Sequence, residues 1–153
     1  MEVAGLKIPE ELVGLIKEGR WPGKSEQVMG QESYSPIAKE LIKQIAEEEE
    51  KIILYAPPFH TVESLCKRES SFWKHPSTAP DEIDFSKSIP IGDFGLGSDA
   101  PILLDYRKSS LFPSVIRLKW TPFARNNHWV LVSPAFEEFA FLLGLWNISF
   151  GKE

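Results

Sequence analysis

The run Ile89-Pro-Ile-Gly-Asp-Phe-Gly-Leu-Gly-Ser-Asp-Ala-Pro-Ile-Leu-Leu-Asp-Tyr-Arg107 constrains the fold more than any other part of the chain. Two apolar stretches flank a turn in which Gly92, Gly95 and Gly97 can adopt positive φ without a Cβ clash, and Asp93 and Asp99 can bond backbone two residues on. The segment therefore reads as strand, tight turn, strand, with at least one of the three glycines expected at positive φ. Ile102-Leu-Leu104 is apolar without interruption, as expected of a strand buried on both faces.

The remaining segments supply elements to pack around that hairpin. Pro9 at a first helical position, the spacing of Leu12, Val13, Leu15 and Ile16, and a glycine cap at Gly19 predict a helix over residues 9–18. After the Trp21-Pro22-Gly23 turn, residues 24–35 read as a long connecting loop. A second helix opens at Ser35-Pro36 with Ile37, Leu41, Ile42 and Ile45 on one face, and Glu47–Glu50 reads as its solvated end. Residues 51–55 predict a strand, and Thr61 caps a short helix to about Lys67. Residues 68–87 read as a helical turn followed by an irregular cover.

Further on, residues 114–120 alternate as a half-exposed strand, Asn126-Asn127 marks a hairpin turn, and residues 128–132 return as its partner. Ser133-Pro134 is expected to start a last helix with Phe136, Phe139, Ala140 and Leu143 inward, Glu137 and Glu138 near its positive end, and Gly144 closing it. Phe94 and Phe141, in or beside apolar stripes, read as core. Residues 145–150 form an apolar tail expected to fold back. This order predicts one α+β domain, residues 1–153, with a central, mainly antiparallel twisted sheet flanked by helices.

With 153 residues the chain has single-domain length, and a domain of this size buries about 68–70% of its unfolded surface without a staple or metal. Cys66 is the only cysteine, which excludes an internal disulfide and suits a reducing, cytoplasmic compartment. The first residues are neither basic nor followed by an apolar stretch, and nothing approaches the ~18 apolar residues of a membrane span. A net charge of −5 with scattered basic residues argues against nucleic acid and is compatible with a basic protein partner.

Catalytic and metal chemistry find no context. The glycine spacing Gly92-x-x-Gly95-x-Gly97 lacks the helix that a phosphate loop requires, since Pro101 and a strand follow. Asp93, Asp99 and Asp105 are oxygen donors that a hard cation accepts, yet turn chemistry and pairing of Asp105 with a nearby cation such as Arg107 account for them. Cys66 with His60 or His75, and Ser98 with His128, lie in no nucleophile motif. The expectation is a chain without catalytic residues, metal or cofactor.

Aromatic and arginine side chains of the kind enriched at binding hot spots stand in non-periodic places: Trp21, Phe72, Trp73, Tyr106, Phe112, Phe123 and Arg125. Trp21, Phe72, Trp73, Phe123 and Arg125 are the expected partner contacts, on the loop 21–35, the region 72–75 and the hairpin 121–127. Gly92, Asp93, Gly95, Gly97, Asp99, Asp105 and Arg107 are expected to be structural, the last two in a polar network at a strand end.

Residues 92–107, with Pro113-Ser-Val-Ile-Arg-Leu-Lys-Trp120, Phe136-Glu-Glu-Phe-Ala140 and Leu143-Gly-Leu145, resemble the SUKH superfamily; Ile8-Pro-Glu-Glu-Leu12 echoes its opening helix. The likeness covers about the last 60 residues and leaves residues 21–88 unexplained. That family includes the yeast cell-wall assembly regulator and bacterial immunity proteins against secreted toxins. The resemblance implies a non-enzymatic protein-interaction domain, specifically an immunity protein that binds and neutralises a toxin domain. A regulatory adaptor similar to the cell-wall assembly regulator is the alternative, and a small-molecule-binding protein or enzyme the third.

Overall fold

Five strands form one antiparallel meander in chain order: β3 (Ile53–Leu54), β4 (Ser88–Asp93), β5 (Pro101–Asp105), β6 (Ser114–Lys119) and β7 (His128–Ser133). A separate two-stranded hairpin, β1 (Glu2–Val3) and β2 (Leu6–Lys7), begins the chain. The helices are α1 (Glu10–Lys17), α2 (Lys39–Ile45), α3 (Val62–Cys66), α4 (Ser71–Lys74) and α5 (Phe136–Leu142). The computed structural model describes residues 1–24, 37–68, 71–94, 100–121 and 127–147. The chain is an α+β domain.

β5 is central and buried on both faces, as its uninterrupted apolar sequence predicts. Because successive side chains alternate sides, Ile102 and Leu104 enter a large cluster with Ile89, Ile91, Val115 and the inward residues of α1, α2 and α5. Leu103 points the other way, into a smaller cluster with Val62, Trp73 and Ile116. That second layer consists of α3, α4 and three 3₁₀ turns, Pro76–Thr78, Pro80–Glu82 and Phe85–Lys87. β6, expected to be half-exposed, is instead buried from Val115 to Leu118, because both layers cover it.

α1 shows how local sequence sets an element. Leu12 and Leu15 face the core, and Gly19 ends the helix at φ +74°. The Gly19 N–H donates to the Ile16 carbonyl and the Arg20 N–H to the Leu15 carbonyl, two bonds that require the left-handed residue glycine supplies. Thr61 accepts from the Ser64 N–H and caps α3. The last helix departs from expectation: it starts at Phe136 after Ala135, and Ser133 belongs to β7, its hydroxyl donating to the Ala135 carbonyl. Phe141, expected in the core, is 72% exposed, since the inward stripe of this helix is Phe136, Phe139 and Ala140.

Two polar devices hold the large layer to the sheet. Arg117, on the same face as Ile102 and Val115, is buried and donates from both terminal nitrogens to the Glu48 carboxylate, at 2.6 and 3.3 Å. Its guanidinium also lies 5.7 Å from the Phe94 ring centroid. Partial burial pushes the Glu48 carboxyl up, but the Arg117 hydrogen bonds and charge outweigh this and hold it below its ordinary value. Glu48 is thus a tie between the end of α2 and the sheet, where the run of four glutamates had suggested solvated charge only. The second device is Tyr106, whose hydroxyl donates to the Lys7 carbonyl and secures the first hairpin to the end of β5.

β4 carries Pro90 without a ladder donor, and the register with β5 slips by one residue there, leaving Ile91 as a bulge. Gly92 follows, and it is not among the positive-φ residues. Its glycine is required by space: a Cβ would lie 2.6 Å from the Ile53 carbonyl oxygen of β3. Gly95, Gly97 and Asp99 lie outside the described residues. Gly92→Ala should cost about 1–3 kcal/mol, as overpacking against backbone does, because β3 must move away. Denaturant titration measures it, and an unchanged midpoint would show that the edge strand yields freely.

Candidate interaction surface

The smaller layer runs out before β7. Trp129 and Leu131 project to that face, opposite Leu118 and Ile116 in the register. Trp129 is covered: its indole N–H donates to the Thr78 carbonyl at 2.7 Å, and its backbone N–H to Glu82 Oε1 at 2.9 Å. Leu131 has no such cover and is 63% exposed. The result is a groove of about 730 Å³ with Ile116, Trp129 and Leu131 among its lining and Glu82, Asp105, Arg107 and Lys108 as its charged members.

One end of the groove is the loop between β5 and β6, where Phe112 is 78% exposed and Leu111 52% exposed. These apolar side chains are presented by a fixed turn. The Ser109 hydroxyl oxygen accepts from the N–H groups of both Leu111 and Phe112, each at 3.1 Å. The Ser110 carbonyl accepts from the Lys7 N–H, so the first hairpin braces the same loop. Beyond Phe112 lies a second concavity of about 460 Å³ between the starts of α1 and α5, lined by Pro9, Glu10, Glu11, Pro113, Phe136 and Glu137 together with Leu111 and Phe112. Phe112 is therefore a ridge with a hollow on each side.

Arg107 and Glu82 are held by contacts within the rim. Arg107 donates from Nε and Nη2 to the Asp105 carboxylate at 2.8–3.1 Å and from Nη1 to the Glu82 carbonyl at 2.7 Å. The Asp105 carboxylate beside it raises Arg107 above its ordinary value. Glu82 meets His128 Nδ1 at 2.8 Å, and that hydrogen bond, with the Trp129 N–H, holds the Glu82 carboxyl below its ordinary 4.5. These contacts stitch the second 3₁₀ turn to both β5 and β7, across the mouth of the groove.

The sequence-predicted contact residues do not gather here. Trp21 is fully buried, its ring tilted against Phe136 and its indole N–H donating to the Tyr55 carbonyl, so it is core and is withdrawn as a partner contact. Trp73 is likewise buried, edge-on to Phe72 in the smaller cluster, while Phe72 is half-buried beside it. Tyr106 is buried under the first hairpin. Phe123 and Arg125 lie outside the described residues, as does Ser98. Of the non-periodic aromatics among the described residues, only Phe112 stands out from the surface. Leu111 and Leu131 were missed, since an exposed leucine in a β sequence carries no signal that distinguishes it from a buried one.

Asp93 ends β4 opposite Pro101, the first residue of β5, whereas Asp105 is the last residue of β5, opposite Ser114. Four strand residues separate those ends by roughly 13 Å, too far for one cation. Among the described residues no group of three or more His, Cys, Asp or Glu is placed to hold a metal, and no helix is long and apolar enough to cross a membrane. No protein-family model matches the chain, and neither a curated protein nor a solved structure does.

A pH test follows from Glu82. A carboxyl held below its ordinary value contributes stability that is present above about 4.5 and is lost as pH falls through the lower, folded value. Because the side chain is 40% exposed, water screens the pair and the contribution is about 0.2–1 kcal/mol. Glu82→Gln should destabilise the protein at about pH 6 and by less at about pH 3. Urea midpoints at both conditions check this, and a constant difference would mean that the charge of Glu82 does not matter.

Proposed function

We propose that this chain is a non-enzymatic protein-interaction domain of the SUKH type, acting in the cytoplasm as an immunity protein that binds and neutralises a bacterial toxin. The observation that carries the interaction reading is the Leu111–Phe112 ridge: two large apolar side chains held outward by the Ser109 turn, with Leu131 exposed across the adjoining groove. Large exposed apolar side chains on a fixed backbone suit a partner, because binding buries them at little cost in ordering. The immunity role rests on the resemblance of residues 92–107, 113–120 and 136–145, and the single cysteine suits the cytoplasm.

The competing chemistry finds less support. Asp105 is engaged by Arg107, and the Asp93 carboxylate accepts from the Ala100 N–H. These bonds, one at the end of β4 and one at the end of β5, favour a structural role for both aspartates.

Phe112→Ser tests the reading, because so exposed a side chain can be removed without touching the core. Co-expressed with the toxin encoded beside its own gene, the wild-type chain should restore growth. The variant should melt at the wild-type temperature yet bind about 30-fold more weakly, a hot-spot loss of about 2 kcal/mol. Equal protection and affinity in the variant would remove the ridge from the interface, and no protection by the wild type would overturn the immunity role.

A further inference from the structure

The cleft between the starts of α1 and α5 differs from the groove in its charge. Its floor is apolar, with Pro9, Pro113 and Phe136 beside the Phe112 ridge, and its rim carries Glu10, Glu11 and Glu137. Lys7 is the only basic residue among the described residues of the lining, and its Nζ is bonded to Glu10 Oε2 at 3.2 Å. Glu11 and Glu137 therefore remain as negative charge that nothing else in the lining balances. Carboxylates in a first helical turn are partly offset by the backbone dipole. That offset leaves the potential over the cleft negative.

We infer that this cleft receives a segment of a partner protein that carries a lysine or arginine next to an apolar side chain. The inference rests on the reading of the ridge as a partner-binding face and adds the chemistry of what docks there. The apolar side chain enters against the exposed Phe112, over the buried Phe136, while the cation lies along the rim between Glu11 and Glu137. An acidic segment is repelled from the same rim, so the cleft selects by charge as well as by shape. The groove on the other side of Phe112 lacks this bias, since Arg107 and Lys108 stand in it beside Glu82 and Asp105.

The probe is an end-capped six-residue peptide alternating lysine and tryptophan, titrated into the ¹⁵N-labelled chain and followed by amide shifts, with a glutamate–tryptophan peptide as comparison. The cationic peptide should move the amides of Glu11, Phe112 and Phe136. Glu11→Gln with Glu137→Gln, both at the surface, should weaken it by roughly 4- to 20-fold, since one rim charge is worth about 2- to 5-fold, and Phe112→Ser should abolish the shifts. Equal binding of the acidic peptide, shifts centred elsewhere, indifference to the double substitution, or self-association through these amides without peptide would each overturn the inference. The two readings fail separately. Toxin binding lost in Phe112→Ser but unchanged in the double glutamine variant would leave the ridge as an interface and remove the charge selection. Peptide binding as expected, with toxin binding unaffected by Phe112→Ser, would do the reverse.

Discussion

Everything in this fold follows from burying β5 on both sides. Ile102-Leu-Leu104 cannot turn one face to water without exposing a large apolar side chain, each worth about 1.5–3 kcal/mol on burial, so the chain must build two covering layers. The first is substantial: three helices place Leu12, Leu15, Ile42, Phe136 and Phe139 over the sheet. The second comes from one- and two-turn pieces between residues 62 and 87, and these reach Leu103 and Ile116 but not Leu131. The candidate surface is therefore where the second layer ends.

Polar contacts then determine how rigid that boundary is. Glu82 and Arg107 tie the last 3₁₀ turns to β5 and β7, and Ser109 and Tyr106 fix the loop that carries Phe112 against the first hairpin. On the other face, the Arg117–Glu48 pair crosses from β6 to the end of α2. Removing Glu48 strands the buried Arg117 guanidinium, whereas Glu48, itself exposed, can be hydrated if Arg117 is removed. The pair thus locates α2 on the sheet as well as contributing stability.

Elements marked by strong local signals were legible in the sequence. The uninterrupted apolar run of β5, the helical spacing of α1 with its Gly19 cap and the Thr61 cap of α3 all lie where the residues place them. Ser133-Pro134 misled because serine is as good at a strand end as at a helix start, and the pairing of Ser133 with Val115 decided between them. Arg117 looked like a solvent-facing strand position, since its partner Glu48 is 69 residues away and nothing local announces the pair. The same limit explains the candidate contacts. Trp21 follows the end of α1 and Trp73 lies in the single turn of α4, too short to show a period, yet both side chains are buried. Phe112 breaks periodicity because its loop is exposed, and only the packed fold separates the two cases.

Hydrogen exchange on the chain alone and bound to its protein partner tests the central claim most directly, because it maps the interface without altering a residue. The account predicts slowed exchange over residues 108–113 and 128–137, which carry the ridge, the exposed edge strand and the start of α5, with β3 and α2 unchanged. Protection confined to β3 and α2, with the ridge exchanging as in the free chain, would contradict it.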